Sequence, residues 1–165
     1  RAGMDFGFSH SYNALVRVAV DEDNLELFVY YEYYKNHMTD PETVLEIQEF
    51  KESGELIYAD NAEPKTITYY QMEGFNMYPA SATKSAGSRL QNTKKMKRFK
   101  KIYISDECPC TWEELHDLVF KKDRNGNVIP DTFNIDPHTF SAIWYSLEGI
   151  EMASLKADDT FFISY

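Results

Sequence analysis

Apolar and polar positions along this chain predict an open sheet that begins antiparallel and continues as alternating helix and strand. Met4 to Phe8 is a short apolar run with strand character. Ala14 to Val20 and Leu25 to Tyr34 are longer runs rich in β-branched and aromatic residues. Asp21-Glu22-Asp23-Asn24 between them has the composition of a hairpin turn, so three antiparallel strands open the domain. Asp40-Pro41-Glu42 then reads as a helix start, with Val44, Leu45, Ile47 and Phe50 at helical spacing up to a stop at Ser53-Gly54.

Further along, Leu56 to Ala59 is a short buried strand, Pro64 to Met72 a helix, and Phe75 to Pro79 another strand. Ala80 to Ser88 is small and polar, hence a loop. Leu90 to Phe99 is predicted as a helix with Leu90, Met96 and Phe99 inward and its lysines outward. Lys101 to Ser105 is the last strand. Thr111-Trp112-Glu113-Glu114 has the form of a capping box leading a helix to about Lys121. Asp123-Arg124-Asn125-Gly126-Asn127 is a turn at the tip of an excursion, and Asp136 N-caps a closing helix with Pro137 at its first position. Trp112 and Trp144 fall at core spacing on their helices. The order predicts an α/β fold: a mixed sheet of three antiparallel strands followed by parallel ones, joined by right-handed crossovers, with helices on both faces.

Candidate chemistry lies at two strand ends. Asp5 stands between small residues in Gly3-Met4-Asp5-Phe6-Gly7, and Asp60 closes the strand Leu56-Ile57-Tyr58-Ala59. Two carboxylates brought together repel unless a cation sits between them, and Mg2+ or Mn2+ is the hard, oxygen-seeking ion that suits them. Ribonuclease-H-like nucleases build metal sites in this way; the plain alternative is two aspartates capping loops. Glu32 ends the third strand within reach of the same place, whereas His10, His37 and His116 show no ligand spacing.

Charge changes the picture. The formal net charge is −10, yet eight of the 17 basic residues fall in the 18 positions from Lys84 to Lys101, with no acid between Glu73 and Asp106. Lys84, Arg89, Lys94, Lys95, Lys97 and Arg98 thus form a candidate DNA-binding stripe on an otherwise acidic molecule. A solvated helix face is the competing reading.

Other classes are excluded or made remote. At 165 residues the chain fits one domain spanning 1–165, with an ample core. No apolar run is long enough for a membrane span, and the N-terminus has no secretion-signal pattern. Cys108 and Cys110, one residue apart, suit neither a disulfide nor a zinc site. No G-x-x-x-x-G-K-[ST] phosphate loop occurs. The first strand begins so near the start that a fragment of a longer protein is expected.

The wording around the two aspartates carries a resemblance. Gly3-Met4-Asp5-Phe6-Gly7-Phe8 with Asn13-Ala14-Leu15-Val16, then Tyr58-Ala59-Asp60-Asn61-Ala62-Glu63-Pro64-Lys65, Gly87-Ser88-Arg89-Leu90-Gln91, and finally Asp136-Pro137-His138 with Ser141-Ala142-Ile143-Trp144-Tyr145-Ser146-Leu147, resemble in order the nuclease domain of tailed-phage large terminase subunits. The likeness covers nearly the whole chain. It implies a Mg2+- or Mn2+-dependent, two-ion endonuclease that cuts concatemeric double-stranded viral DNA during packaging in the cytoplasm of the bacterial host. An N-terminal packaging ATPase in the same chain, a small terminase subunit and a portal are the partners it implies.

By that resemblance Asp5 bridges both ions and Asp60 holds one, with Glu63 and Lys65 as supporting or phosphate-contacting neighbours. The third position departs from the family pattern, since Ser141 stands where a metal-binding aspartate is expected. His138, three residues earlier on the same helix face, is the candidate replacement ligand, and an imidazole favours Mn2+ over Mg2+. Asp131 and Asp136 are further candidates. The competing functions are a catalytically silent DNA-binding module of the same fold, and a resolvase- or transposase-like nuclease, which should carry a full third carboxylate.

Overall fold

The computed structural model describes residues 1–7, 11–81 and 87–150. Phe8, Ser9, His10 and Lys84 lie outside the described residues. Strands β1 (Ala2–Asp5), β2 (Tyr12–Asp21) and β3 (Glu26–Asn36) open the fold as an antiparallel meander. Helices α1 (Asp40–Glu46) and α2 (Gln48–Ser53) follow, then β4 (Ile57–Ala59), α3 (Pro64–Met72) and β5 (Met77–Pro79). The second half contains α4 (Ser88–Met96), β6 (Lys101–Ile104), α5 (Pro109–Asp117), β7 (Phe120–Lys122), β8 (Val128–Phe133) and α6 (His138–Ser146).

Six strands form one mixed sheet in the order β5-β4-β1-β2-β3-β6, with β4 parallel to β1, β5 parallel to β4, and β6 parallel to β3. The predicted α/β architecture therefore holds. The period-two alternation of the strands sends neighbouring side chains to opposite faces. Leu15 joins one core with Ala2, Met4, Ile57 and Ala59, beneath α1 to α3. Ala14, Val16 and Val18 join a second core with Met96, Phe140 and Ile143. Helices thus cover both faces, as predicted. Because Met4 and Ala59 face the first core, Asp5 and Asp60 must face the second, under α6.

Several elements depart from the sequence reading. The helix from Asp40 to Ser53 is broken at Ile47, and its cap is Thr39, which forms a capping box with Glu42. Leu45 and Trp112, expected inside, are 67% and 40% exposed. α4 ends at Met96 instead of Phe99, and Leu90 is 37% exposed. α5 starts at Pro109 and stops at Asp117, so Thr111 lies within it, and Phe120 to Lys122 pairs with β8 as a separate hairpin whose tip is the Asp123 turn. The N-cap of α6 is Pro137, not Asp136. Among the described residues no helix is long and apolar enough to cross a membrane.

Candidate active site

Parallel pairing between β1 and β4 fixes the two aspartates. Met4 lies opposite Ala59 and the Asp60 N–H donates to the Met4 carbonyl at 3.0 Å, so Asp5 and Asp60 leave the sheet at neighbouring strand ends about 5 Å apart. Both are buried, each 2% exposed. Behind Asp5 the chain is held by Asn13, whose Oδ1 accepts the Gly7 N–H at 2.8 Å and whose Nδ2 donates to Thr43 Oγ1 at 3.2 Å. Asp60 Oδ1 accepts the Ala62 N–H at 3.0 Å, which turns the chain towards α3.

Helix α6 closes over the pair. Its first turn is capped by Glu114 of α5, which accepts from the His138 N–H (2.9 Å), the Thr139 hydroxyl (2.7 Å) and the Phe140 N–H (2.6 Å). Burial pushes the Glu114 carboxyl up, although these donors and the neighbouring His138 pull the other way. Glu114→Ala would leave those donors unsatisfied in a buried place. It should cost about 2–4 kcal/mol in urea denaturation, with Glu114→Gln, which keeps one acceptor oxygen, falling between variant and parent.

His138, Ser141 and Tyr145 recur at i, i+3 and i+7 along α6, one stripe of the helix. His138 Nδ1 lies 3.0 Å from Asp5 Oδ2, and its Nε2 lies 3.3 Å from Ser11 Oγ and 3.9 Å from Asp136 Oδ2. The rings of Tyr12 and Tyr34 flank the imidazole at 6.0 and 6.4 Å between centroids. Burial lowers the His138 pKa, but the hydrogen bond to Asp5 and the charges of Asp5, Asp136 and Glu114 outweigh it, and the net shift is upward. Tyr145 is held protonated, first by burial and then by the charges of Asp5 and Asp60 and a hydrogen bond to Asp60. His138 is therefore brought to Asp5, and Tyr145 to Asp60. Ser141 lies between His138 and Tyr145 on the stripe, with its hydroxyl donating to the Pro137 carbonyl at 2.7 Å. Among the described residues no three His, Cys, Asp or Glu side chains converge as a ready-made metal cluster.

The remaining candidates are distributed elsewhere. Glu63 and Lys65 are exposed around the start of α3. Glu32 serves α5 instead, accepting from the Cys110 N–H, the Thr111 N–H and the Thr111 hydroxyl. Asp131 is taken up by α4, accepting from the N–H groups of Gly87 and Leu90. On the basic stripe Lys94 and Lys97 are exposed, but Arg89 pairs with Asp136 at 3.3 Å. Lys95 is half-buried with its Nζ 4.4 Å from the Trp144 ring centroid, and desolvation lowers its pKa. The expectation that all the lysines point outward is corrected at that position. Sequence reasoning missed Glu114 and the Tyr12 and Tyr34 rings. The Thr111-x-x-Glu114 spacing accounted for Glu114 as a local cap, which concealed its service to a distant helix.

Comparison with known proteins places this geometry in a family. Residues 5–149 match the terminase RNase H-like domain. The chain is 56% identical over 156 residues to the PBSX phage terminase large subunit of Bacillus subtilis (strain 168), covering 94% of this chain and 36% of that protein. It thus spans about a third of the length of the curated relatives it matches. Among solved structures, the nuclease domain of the large terminase from bacteriophage SPP1 with bound Mn superposes with a TM-score of 0.78 at 24% identity, over 89% of this chain and 84% of that one. The P22 large terminase nuclease domain gives a TM-score of 0.66 at 17% identity, over 89% and 78%. These likenesses are ones of fold. By the match over residues 5–149, this chain belongs to the terminase RNase H-like domain family.

Proposed function

We propose that this chain is the nuclease domain of a phage large terminase subunit, a metal-dependent endonuclease that cuts double-stranded viral DNA concatemers during genome packaging. The observation that carries this reading is the parallel register that sets Asp5 and Asp60 side by side on one sheet face, each 2% exposed beneath α6. Two buried carboxylates at this separation form a donor set suited to a hard divalent cation. Asp5 and Asp60 would hold the ions; of the His138 ring nitrogens Nδ1 faces Asp5, and Nε2, 3.3 Å from Ser11 Oγ, is the one that would serve as a further ligand. That nitrogen is the ground for a preference for Mn2+ over Mg2+. The Mn bound in the SPP1 nuclease domain and the magnesium bound in the nuclease of phage G20c support a divalent ion in such a site.

When bound, the metal supplies Lewis acidity, lowering the pKa of a water and neutralising charge on the leaving oxygen. His138 fixes the Asp5 carboxylate through Nδ1, and Tyr145, neutral and buried, donates to Asp60, so both carboxylates are oriented before substrate arrives. Lys65, exposed in the first turn of α3, would meet the flanking DNA backbone, with Glu63 beside it as a supporting residue. Arg89, Lys94, Lys97, Arg98 and Lys84 would contact phosphates, Lys95 contributing more to packing than to binding. The length of the relatives beyond this domain leaves room for the packaging ATPase; the small terminase subunit and portal are the remaining partners, in the host cytoplasm.

Ser141 favours a second reading, a catalytically silent DNA-binding module of the same fold. Its hydroxyl is turned to its own helix, so the stripe between His138 and Tyr145 offers no third carboxylate. Plasmid nicking over a series of Mn2+ concentrations separates the two. Ser141→Asp is expected to raise nicking about tenfold or more, because a charged ligand on this stripe strengthens transition-state stabilisation by about 1.4 kcal/mol or more. A folded variant that cuts no faster would show that another residue already fills the role.

A further inference from the structure

The first turn of the basic helix α4 is held by contacts from three residues, Asp131, Phe133 and Asp136, all on one stretch of chain. Asp131, in β8, accepts from the N–H of Gly87 at 2.7 Å and of Leu90 at 2.9 Å. α4 has no capping side chain of its own, since its N-cap is Gly87, and Asp131 supplies one from a distance. Asp131 does so from φ +58°, a left-handed conformation that Asp tolerates better than most residues. Phe133, two residues on, places its ring centroid 5.7 Å from the Arg89 guanidinium carbon. Asp136 accepts from Arg89 Nη2 at 3.3 Å, and its other oxygen lies 3.9 Å from His138 Nε2. Contacts therefore run from the start of α4 to the Asp5 carboxylate through Arg89, Asp136 and His138.

Asp131 is an acid set against the helix a polyanion would have to approach. On charge alone it should repel that substrate, so its value must lie in what it holds in place. We propose that Asp131 is a positioning residue: it fixes the first turn of α4 so that Arg89 stands against Asp136, at the His138 edge of the site, where it meets a backbone phosphate of bound DNA. The proposal rests on the nuclease reading given above for the identity of the polyanion.

Charge and positioning predict opposite signs, which makes the test sharp. Binding of a short DNA duplex would be followed by fluorescence anisotropy in EDTA over a salt series, for the parent, D131A, D131N, R89A and D131A/R89A. Loss of an acid should tighten binding to DNA if only charge matters. The positioning role predicts that D131A binds about eightfold more weakly at 0.1 M salt and that its salt slope shrinks by about 0.9, the share of one phosphate. R89A should show the same loss, the double variant no more than R89A alone, and D131N, which keeps a carbonyl acceptor, a partial recovery. D131A binding as tightly as the parent or tighter, or R89A costing as much without Asp131 as with it, overturns the proposal. If circular dichroism shows D131A unfolded, the same comparison is made between D131N and D131N/R89A. Because no divalent metal is present, a parent that binds duplex but fails to nick with Mn2+ defeats the nuclease reading alone, whereas a parent that binds no duplex defeats both.

Discussion

Replacing Asp5 by Asn is expected to abolish Mn2+-dependent nicking, by about 1000-fold or more, while the domain stays folded. A loss of that size corresponds to about 4 kcal/mol of transition-state stabilisation, what one ion's charge supplies at a phosphoryl centre. The substitution keeps the shape of the side chain and removes its charge, so the β1 register and the packing of α6 should survive. Calorimetric titration should show Mn2+ binding lost together with cleavage. Equal binding in parent and variant would sink the assignment of Asp5.

The same variant carries a second readout, independent of cleavage. The His138 pKa is raised above its ordinary 6.5 because Asp5 overcomes the effect of burial. A proton held more tightly in the folded state stabilises the metal-free fold at pH below about 6.5, and this contribution is lost as pH rises through the folded value. Asp5→Asn should therefore lower the His138 pKa in NMR titration and remove that pH dependence from the stability curve. An unchanged His138 titration would mean that Asp136 or Glu114 sustains the shift.

The site was legible in the sequence where one chain segment sufficed to define it. Asp5 and Asp60 each end a strand, and the period-two alternation with Met4 and Ala59 already assigns both to the face opposite those residues. His138 and Ser141 could be set on one helix stripe by spacing alone. What escaped were the features made by distant segments meeting. Glu32 and Glu114 cap helices far from their own positions, and a remote cap leaves no local pattern. β6 could be seen as a strand, but its place beside β3 depends on the crossover through α4. The β7–β8 hairpin is short and exposed, with Val128 and Ile129 outward, and so has little alternation to detect. Lys95 looked like a solvated charge because nothing in its neighbourhood announces Trp144 as a platform.

Gly3→Ala is expected to damage stability and site together, although it adds a single methyl group to a residue that touches no substrate. Gly3 faces α6 where strand and helix backbones are in direct contact. A Cβ there would lie 2.0 Å from the Ala142 carbonyl oxygen and 2.5 Å from the Ser146 nitrogen. Both atoms belong to the helix backbone, so no side-chain rotation can relieve the clash, and α6 must move away from β1. Overpacking a tight core costs about 1–3 kcal/mol, so the melting temperature should fall by roughly 2–12 °C. The displacement also carries His138 and Tyr145 away from Asp5 and Asp60, because all four meet across the same helix–strand contact. Mn2+ affinity and the His138 pKa should therefore fall even at temperatures where the variant remains folded. Thermal unfolding, Mn2+ calorimetry and NMR titration of His138 on the one variant check the three consequences. A Gly3→Ala protein that is less stable yet keeps the parent's metal affinity and His138 titration would show that the site is held by Glu114 and the loop after β1, and not by the close approach of α6 to β1.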